Sequence, residues 1–131
     1  MSEQEIMRVI LMRKQFESEM AILRDCIDDL NDYESSEDTH QLALLKRRLT
    51  LIDHWLDYLP FEERMVVEMH LVIGMSWQRM SMQIEREFNG EISCDARTLQ
   101  RAQERAIKRL AKFINHSFVN KLDYLIEDVV A

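Results

Sequence analysis

The feature of this sequence most suited to binding another molecule is a row of basic side chains. On an α-helix, residues three and four positions apart share one face, so bases repeating at those steps form a continuous cationic ridge. Such a ridge can bind phosphate groups, and an arginine on a helix can pair with guanine in the major groove of duplex DNA. The alternative is a solvated surface helix, where bases near the C-terminus are ordinary. The residues with this spacing, called the ridge below, are Arg97, Arg101, Arg105, Lys108 and Lys112.

Charge is distributed unevenly along the 131 residues. The formal net charge is −7, yet residues 95–115 contain six basic and only two acidic side chains. Residues 1–38 contain eleven acids and four bases. Segregation of this kind is typical of a protein that binds a polyanion in one place. It predicts that the basic segment is drawn towards phosphate and that the acidic N-terminal part is kept away from it.

Composition indicates an all-α protein with one cored domain and an extended element. Hydrophobic residues make up 47% of the chain, and only two glycines and one proline interrupt it.

The two cysteines lie far apart and the start is not signal-peptide-like, which favours reducing cytoplasm. No apolar run approaches the roughly 18 residues of a membrane span, so no membrane association is expected.

The usual signatures of catalysis are absent from the sequence. It has no nucleophile elbow and no glycine-rich phosphate loop, and its four histidines are spread along the chain. We therefore expect no catalytic residues, no metal site and no cofactor, and a function other than that of an enzyme. Glu62 and Glu63 are expected to lie in the first turn of a helix, where they favour its dipole.

Apolar heptads precede the basic segment and predict long helices. Ser2 and Glu5 form a capping-box pattern that opens a single helix of about 28 residues, roughly 42 Å long. The apolar seam of this helix has one polar interruption, at Arg13, which either faces water or fixes the register of a partner. A polar segment over residues 31–38 reads as a loop, and a second apolar seam runs from Leu42 to Leu59, with residues 46–48 and 53 on its outer surface. The two seams can pair as an antiparallel hairpin or form the zipper of a homodimer, and the pattern leaves both open. The candidate oligomerisation residues are Ile6, Val9, Phe16, Met20, Leu23, Ile27 and Leu30.

Turn residues divide the second half of the chain. Pro60 suits the start of a helix that ends at Gly74, and Ser76 suits the cap of a helix that runs to Phe88. Asn89-Gly90 breaks this helix, the basic helix follows Ser93, and a last helix is expected over residues 116–131. A tryptophan directly after a cap, as at position 77, is more often a core anchor than a nucleic-acid contact.

The order of these motifs resembles the helix-turn-helix of sigma-factor region 4 over about residues 58–114. Within that group the chain is most similar to small phage late-gene regulators of the ArpU and RinA type. The link from Glu87 to Asp95 is longer than the tight turn usual in this family. The motifs that carry the resemblance are Leu59-Pro60-Phe61-Glu62-Glu63-Arg64, Gly74-Met75-Ser76-Trp77, Arg97-Thr98-Leu99-Gln100-Arg101 and Ala106-Ile107-Lys108-Arg109-Leu110.

The resemblance implies a sequence-specific DNA-binding transcription regulator, commonly an activator of phage late genes. It implies a helical arm over residues 1–58, a DNA-binding module over 59–115 and a packing helix over 116–131, with duplex DNA and RNA polymerase as candidate partners. Arg97, Thr98, Gln100 and Arg101 are then expected at base edges. Arg105, Lys108 and Lys112, together with Gln78 and Arg79 on the preceding helix, are expected near the phosphate backbone.

Two other functions fit the same sequence. A small terminase subunit of phage DNA packaging also combines a helix-turn-helix with coiled-coil helices, and it assembles into large rings. A protein-binding adaptor would instead use its acidic N-terminal helices to engage RNA polymerase or a repressor, and its ridge would be merely solvated.

Overall fold

All regular secondary structure in the described part of the chain is helical. The computed structural model describes residues 1–29, 36–90 and 94–116. The helices are α1 (Glu3–Leu11), α2 (Arg13–Asp29), α3 (Ser36–Tyr58), α4 (Phe61–Val67), α5 (Trp77–Glu87) and α6 (Ala96–His116), and a π-helical turn (Glu68–Val72) continues α4. The all-α prediction is confirmed for these ranges. Leu30, residues 31–35 of the predicted loop and residues 117–131 of the predicted last helix lie outside them.

The single long helix predicted at the N-terminus is wrong, because the chain divides at Met12. The Met12 N–H donates to the carbonyl oxygens of Arg8 (3.2 Å) and Val9 (3.1 Å), which tightens the last turn of α1. The capping box is present: the Ser2 hydroxyl accepts from the Glu5 N–H at 3.1 Å, and the Glu5 carboxylate accepts from the Ser2 N–H at 3.3 Å. Before Met12, α1 packs on α6 and the π-helical turn, whereas α2, which follows Met12, packs on α3.

Packing within one chain covers much of the N-terminal apolar seam. Ile6 and Val9 are fully buried and Phe16 is 2% exposed. Met20 and Leu23 pack half-buried against the same core, and Ile27 is also partly buried. The α2–α3 pair is therefore a hairpin formed inside one chain, and the candidate oligomerisation residues are largely used by it and by α1.

Two of the residues predicted on the outer surface of α3 have intramolecular partners. The guanidinium of Arg13 donates to the Asp53 carboxylate through Nε (3.0 Å) and Nη2 (2.8 Å), and it also pairs with Glu17. The polar interruption in the first seam thus links α2 to α3. The prediction for Arg48 is wrong: it is buried, with its guanidinium carbon 5.3 Å from the centre of the Phe16 ring. A cation on an aromatic face and an apolar side-chain stem both contribute to that burial.

Two apolar clusters hold the helices together. The larger joins α1, α2, α3, the α4 segment and α6, with Trp55 almost fully buried within it. The N-terminal helices therefore share a core with the segment that follows residue 58. The smaller cluster consists of Val66, Met80, Ile84, Leu99 and Ala102, and it fixes α5 and α6 against α4.

Within residues 1–29, 36–90 and 94–116, none of the helices combines the length and the apolar character needed to cross a bilayer.

Candidate nucleic-acid interface

The start of α6 is fixed by a side-chain cap. The Thr98 N–H donates to the Asp95 carboxylate at 2.8 Å, and this contact lowers the pKa of Asp95, with nearby Arg101 and Arg97 adding to the effect. The Ser81 hydroxyl of α5 donates to the Cys94 carbonyl just before the cap. The first turn of α6 is therefore tied to α5 as well as capped.

The helix α6 has one buried face and one exposed cationic face. Leu99 is 3% exposed, and Ala106 and Leu110 are fully buried. The five ridge residues are all exposed to solvent. The helical spacing of the residues therefore places the apolar side chains on the buried face of α6 and the ridge on its exposed face, as predicted from the sequence.

The remaining predicted contact residues are also exposed to solvent. Thr98 and Gln100 lie on the first turn of α6, and Gln78 and Arg79 lie on the first turn of α5. The Ser76 hydroxyl caps α5 by accepting from the Arg79 N–H at 3.2 Å. Since α5 and α6 pack on each other, the two first turns are held in a fixed relation.

A tight turn connects α4 to α5. Gly74 has φ +86°, a left-handed conformation that favours glycine, and the Met75 N–H donates to the Met69 carbonyl at 2.9 Å. The Nδ1 atom of His70 lies 2.8 Å from the Met75 carbonyl oxygen, and the His70 ring stacks on Trp77 with centroids 3.6 Å apart. Trp77 also packs against the smaller apolar cluster, which is the anchoring position expected for it.

A buried carboxylate under α6 was missed at the sequence level. Glu63 lies in the first turn of α4, as expected, but it is only 6% exposed and is therefore buried rather than solvated. The Arg109 guanidinium donates to it through Nε (2.9 Å to Oε2) and Nη2 (3.4 Å to Oε1), and Arg105 Nε lies 3.8 Å from Oε1. The same contact raises the pKa of Arg109. Glu63 and Arg109 are 46 residues apart, and each alone looks like a solvated charge, so no local pattern could have paired them.

The N-terminal helix lies alongside the ridge. A groove of about 240 Å³ between α1 and α6 is lined by Glu3, Gln4, Met7, Gln103, Glu104, Ile107 and Lys108. The Asn115 side chain also contacts Met1, accepting from its amino group at 2.7 Å and donating to its carbonyl at 3.0 Å. One acid of the N-terminal part, Glu3, therefore lines the same groove as Lys108, a proximity that the distribution of charge along the sequence did not indicate.

The chemistry available at this surface is that of fixed cations and amide or hydroxyl groups. In the described ranges, histidine, cysteine and acidic side chains form no group of three suited to holding a metal ion. The exposed groups with this chemistry are the five ridge cations and the polar side chains on the first turns of α5 and α6. No protein-family model, curated protein or solved structure was found to match this chain.

Proposed function

We propose that this protein is a sequence-specific regulator of transcription that binds duplex DNA through a sigma region 4-like helix-turn-helix, with α5 as the positioning helix and α6 as the recognition helix. The observation that carries the proposal is the ridge: five exposed cations on one side of a helix whose opposite side is buried. From residue 97 to residue 112 the helix rises about 22 Å, since each residue adds 1.5 Å. The major groove is about 12 Å wide, so the ridge is long enough to place some residues in the groove and others at its phosphate walls.

The position of each residue along α6 and α5 supports a division of roles. Arg97 and Arg101 lie on the first two turns of α6, together with Thr98 and Gln100, and they are assigned to base edges. Arg105, Lys108 and Lys112 lie further along and are assigned to phosphates. Gln78 and Arg79 are assigned to the backbone as well, because the helix before a recognition helix crosses the phosphates in this geometry.

The regulatory role rests on the resemblance to phage late-gene regulators. We propose an activator of such genes that contacts RNA polymerase in addition to DNA. The intrachain hairpin of α2 and α3 gives this regulator a helical arm that is joined to the DNA-reading part by a common core. Such a core favours an arm that moves with the DNA-binding part rather than a freely tethered one.

The test is selection of DNA followed by titration with salt. Genomic fragments retained by the purified protein at physiological salt are sequenced, and a labelled duplex of the enriched site is compared with a scrambled duplex by fluorescence anisotropy. With roughly four to six basic groups near phosphates, log affinity should fall against log salt with a slope of about −4 to −5. A palindromic site would indicate a two-fold assembly on DNA. Light scattering on the same sample distinguishes a monomer or dimer from the large ring of a small terminase subunit.

Variants separate specific from general contacts. Arg101→Ala should lower affinity for the enriched site by about 1–3 kcal/mol and relax sequence choice, whereas Lys112→Ala should weaken both duplexes alike. Arg47→Ala is the matched control, because Arg47 is an exposed arginine on a different helix, α3, and is not a member of the ridge. The proposed interface would be excluded if the affinity for DNA did not depend on salt concentration. It would also be excluded if Arg101→Ala and Arg47→Ala lost the same amount of affinity.

A further inference from the structure

The carboxylate of Glu63 is the charged group most closely enclosed beneath the ridge in the described structure. Its side chain is 7% exposed, whereas the side chains of Arg109 and Arg105, which face it, are 47% and 60% exposed. Glu63 lies in the first turn of α4, where the positive end of the helix dipole stabilises an acid. Both of its oxygen atoms are directed at arginines of α6. A two-point contact of this kind fixes orientation as well as distance.

The contact changes the charge that α6 presents to solvent. Arg109 follows Lys108 directly, so its side chain leaves the helix about 100° around the axis, on the flank of the ridge. A free arginine there would add a sixth cation to the exposed face. Phosphate contacts carry no sequence information, so a further free cation increases affinity for every duplex by about the same factor and steepens the salt dependence without changing the preference for the correct site.

We propose that Glu63 is a specificity-determining positioning residue, which holds Arg109 out of the DNA-facing surface and fixes the angle at which α6 and Arg105 meet the duplex. This inference rests on the proposed function of α6 as the recognition helix. Glu63 itself does not touch DNA. It acts through Arg109 and Arg105, and its effect is therefore on selectivity and salt dependence more than on the presence of binding.

The first variant is Glu63→Gln, which keeps the shape of the side chain and removes its charge. The salt slope for the scrambled duplex is expected to steepen by about 1, because Arg109 becomes free to reach one more phosphate. The ratio of affinities for the enriched and scrambled duplexes is expected to fall about tenfold, because α6 is no longer held at the angle that places Arg97 and Arg101 at base edges, and one well-placed arginine contact supplies a factor of this size. The matched control is Glu62→Gln, an exposed neighbour in the same turn with the same change of charge, which should leave both quantities near those of the unmodified protein.

A charge-balanced double variant separates positioning from simple neutralisation. Glu63→Gln with Arg109→Gln leaves the net charge unchanged and buries no unpaired charge, so it also serves if Glu63→Gln alone fails to fold. The salt slope should return to that of the unmodified protein, and the affinity ratio should stay low because Arg105 and α6 are no longer held. Recovery of the ratio in the double variant would overturn the positioning role.

The outcomes distinguish this inference from the proposed function. If the unmodified protein prefers the enriched duplex and Glu63→Gln behaves like Glu62→Gln in slope and ratio, the role of Glu63 is rejected while the DNA-binding function stands. If the unmodified protein shows no salt-dependent binding to any duplex, both proposals are rejected. Circular dichroism of each variant establishes that only folded protein is compared.

Discussion

Replacing Ile6 with alanine tests whether α1 belongs to the core of one chain. Ile6 is fully buried and lies in the apolar cluster that α1 shares with α3 and α6. Burying an isoleucine side chain contributes about 1.5–3 kcal/mol, and the cavity left by truncation adds to the loss. The free energy of unfolding should therefore fall by about 2–5 kcal/mol. The matched control is Ile22→Ala on α2, where the side chain is 62% exposed and the change should stay within about 0.5 kcal/mol.

The assay is equilibrium unfolding in urea, followed by circular dichroism at a low and a high protein concentration. Because the intrachain contacts already bury Ile6, the midpoint should not depend on protein concentration for the unmodified protein or for either variant. A zipper between two chains would raise the midpoint with concentration, since association stabilises the folded state by mass action. A concentration-dependent midpoint, or equal losses for Ile6→Ala and Ile22→Ala, would refute the reasoning from burial.

Two further predictions concern the turn before α5 and the cap of α6. Gly74→Ala is expected to destabilise the fold by about 1–2 kcal/mol in the same urea assay, because φ +86° disfavours a side chain although nothing lies within 4 Å of the added Cβ. Gly74→Asn should lose less, since asparagine tolerates this conformation better, and an alanine variant as stable as the original would show that the turn relaxes freely. The lowered pKa of Asp95 means that its contribution to stability is present above the ordinary value of 3.8 and is lost as the pH falls through the folded-state value. Asp95→Ala should therefore melt at a lower temperature than the unmodified protein at neutral pH, with the difference disappearing in strong acid; a difference that persists there would contradict the cap.

Regularities local to one helix could be predicted from the sequence. The alternation of apolar and basic residues in α6 identified its buried face, including Leu99 and Leu110, because a period of 3.6 residues requires no knowledge of the partner helix. Capping patterns at Ser2 and Ser76 likewise depend on residues within one turn of each other. The existence, type and main orientation of these helices followed from such short-range patterns.

Contacts between distant segments could not be predicted in the same way. The apolar positions continue on both sides of Met12, so the heptad pattern gave no sign that α1 and α2 pack on different neighbours. Arg48 stands in a run of three bases that reads as solvated, yet it covers the Phe16 ring on another helix. Each case depends on which helix lies opposite, and a repeat of apolar residues does not contain that information.

Acidic side chains close to α6 offset the positive charge of the ridge unevenly along its length. Arg97 and Arg101 have the capping Asp95 beside them, which compensates the helix end, whereas Arg105 faces Glu63 and Lys108 lines a groove with Glu3 and Glu104. Attraction for phosphate is therefore strongest at the N-terminal half of the ridge. For the proposed role in DNA binding, this gradient favours insertion of the first two turns of α6 into the groove, where base edges can be read, and it leaves the second half to contact the backbone more weakly.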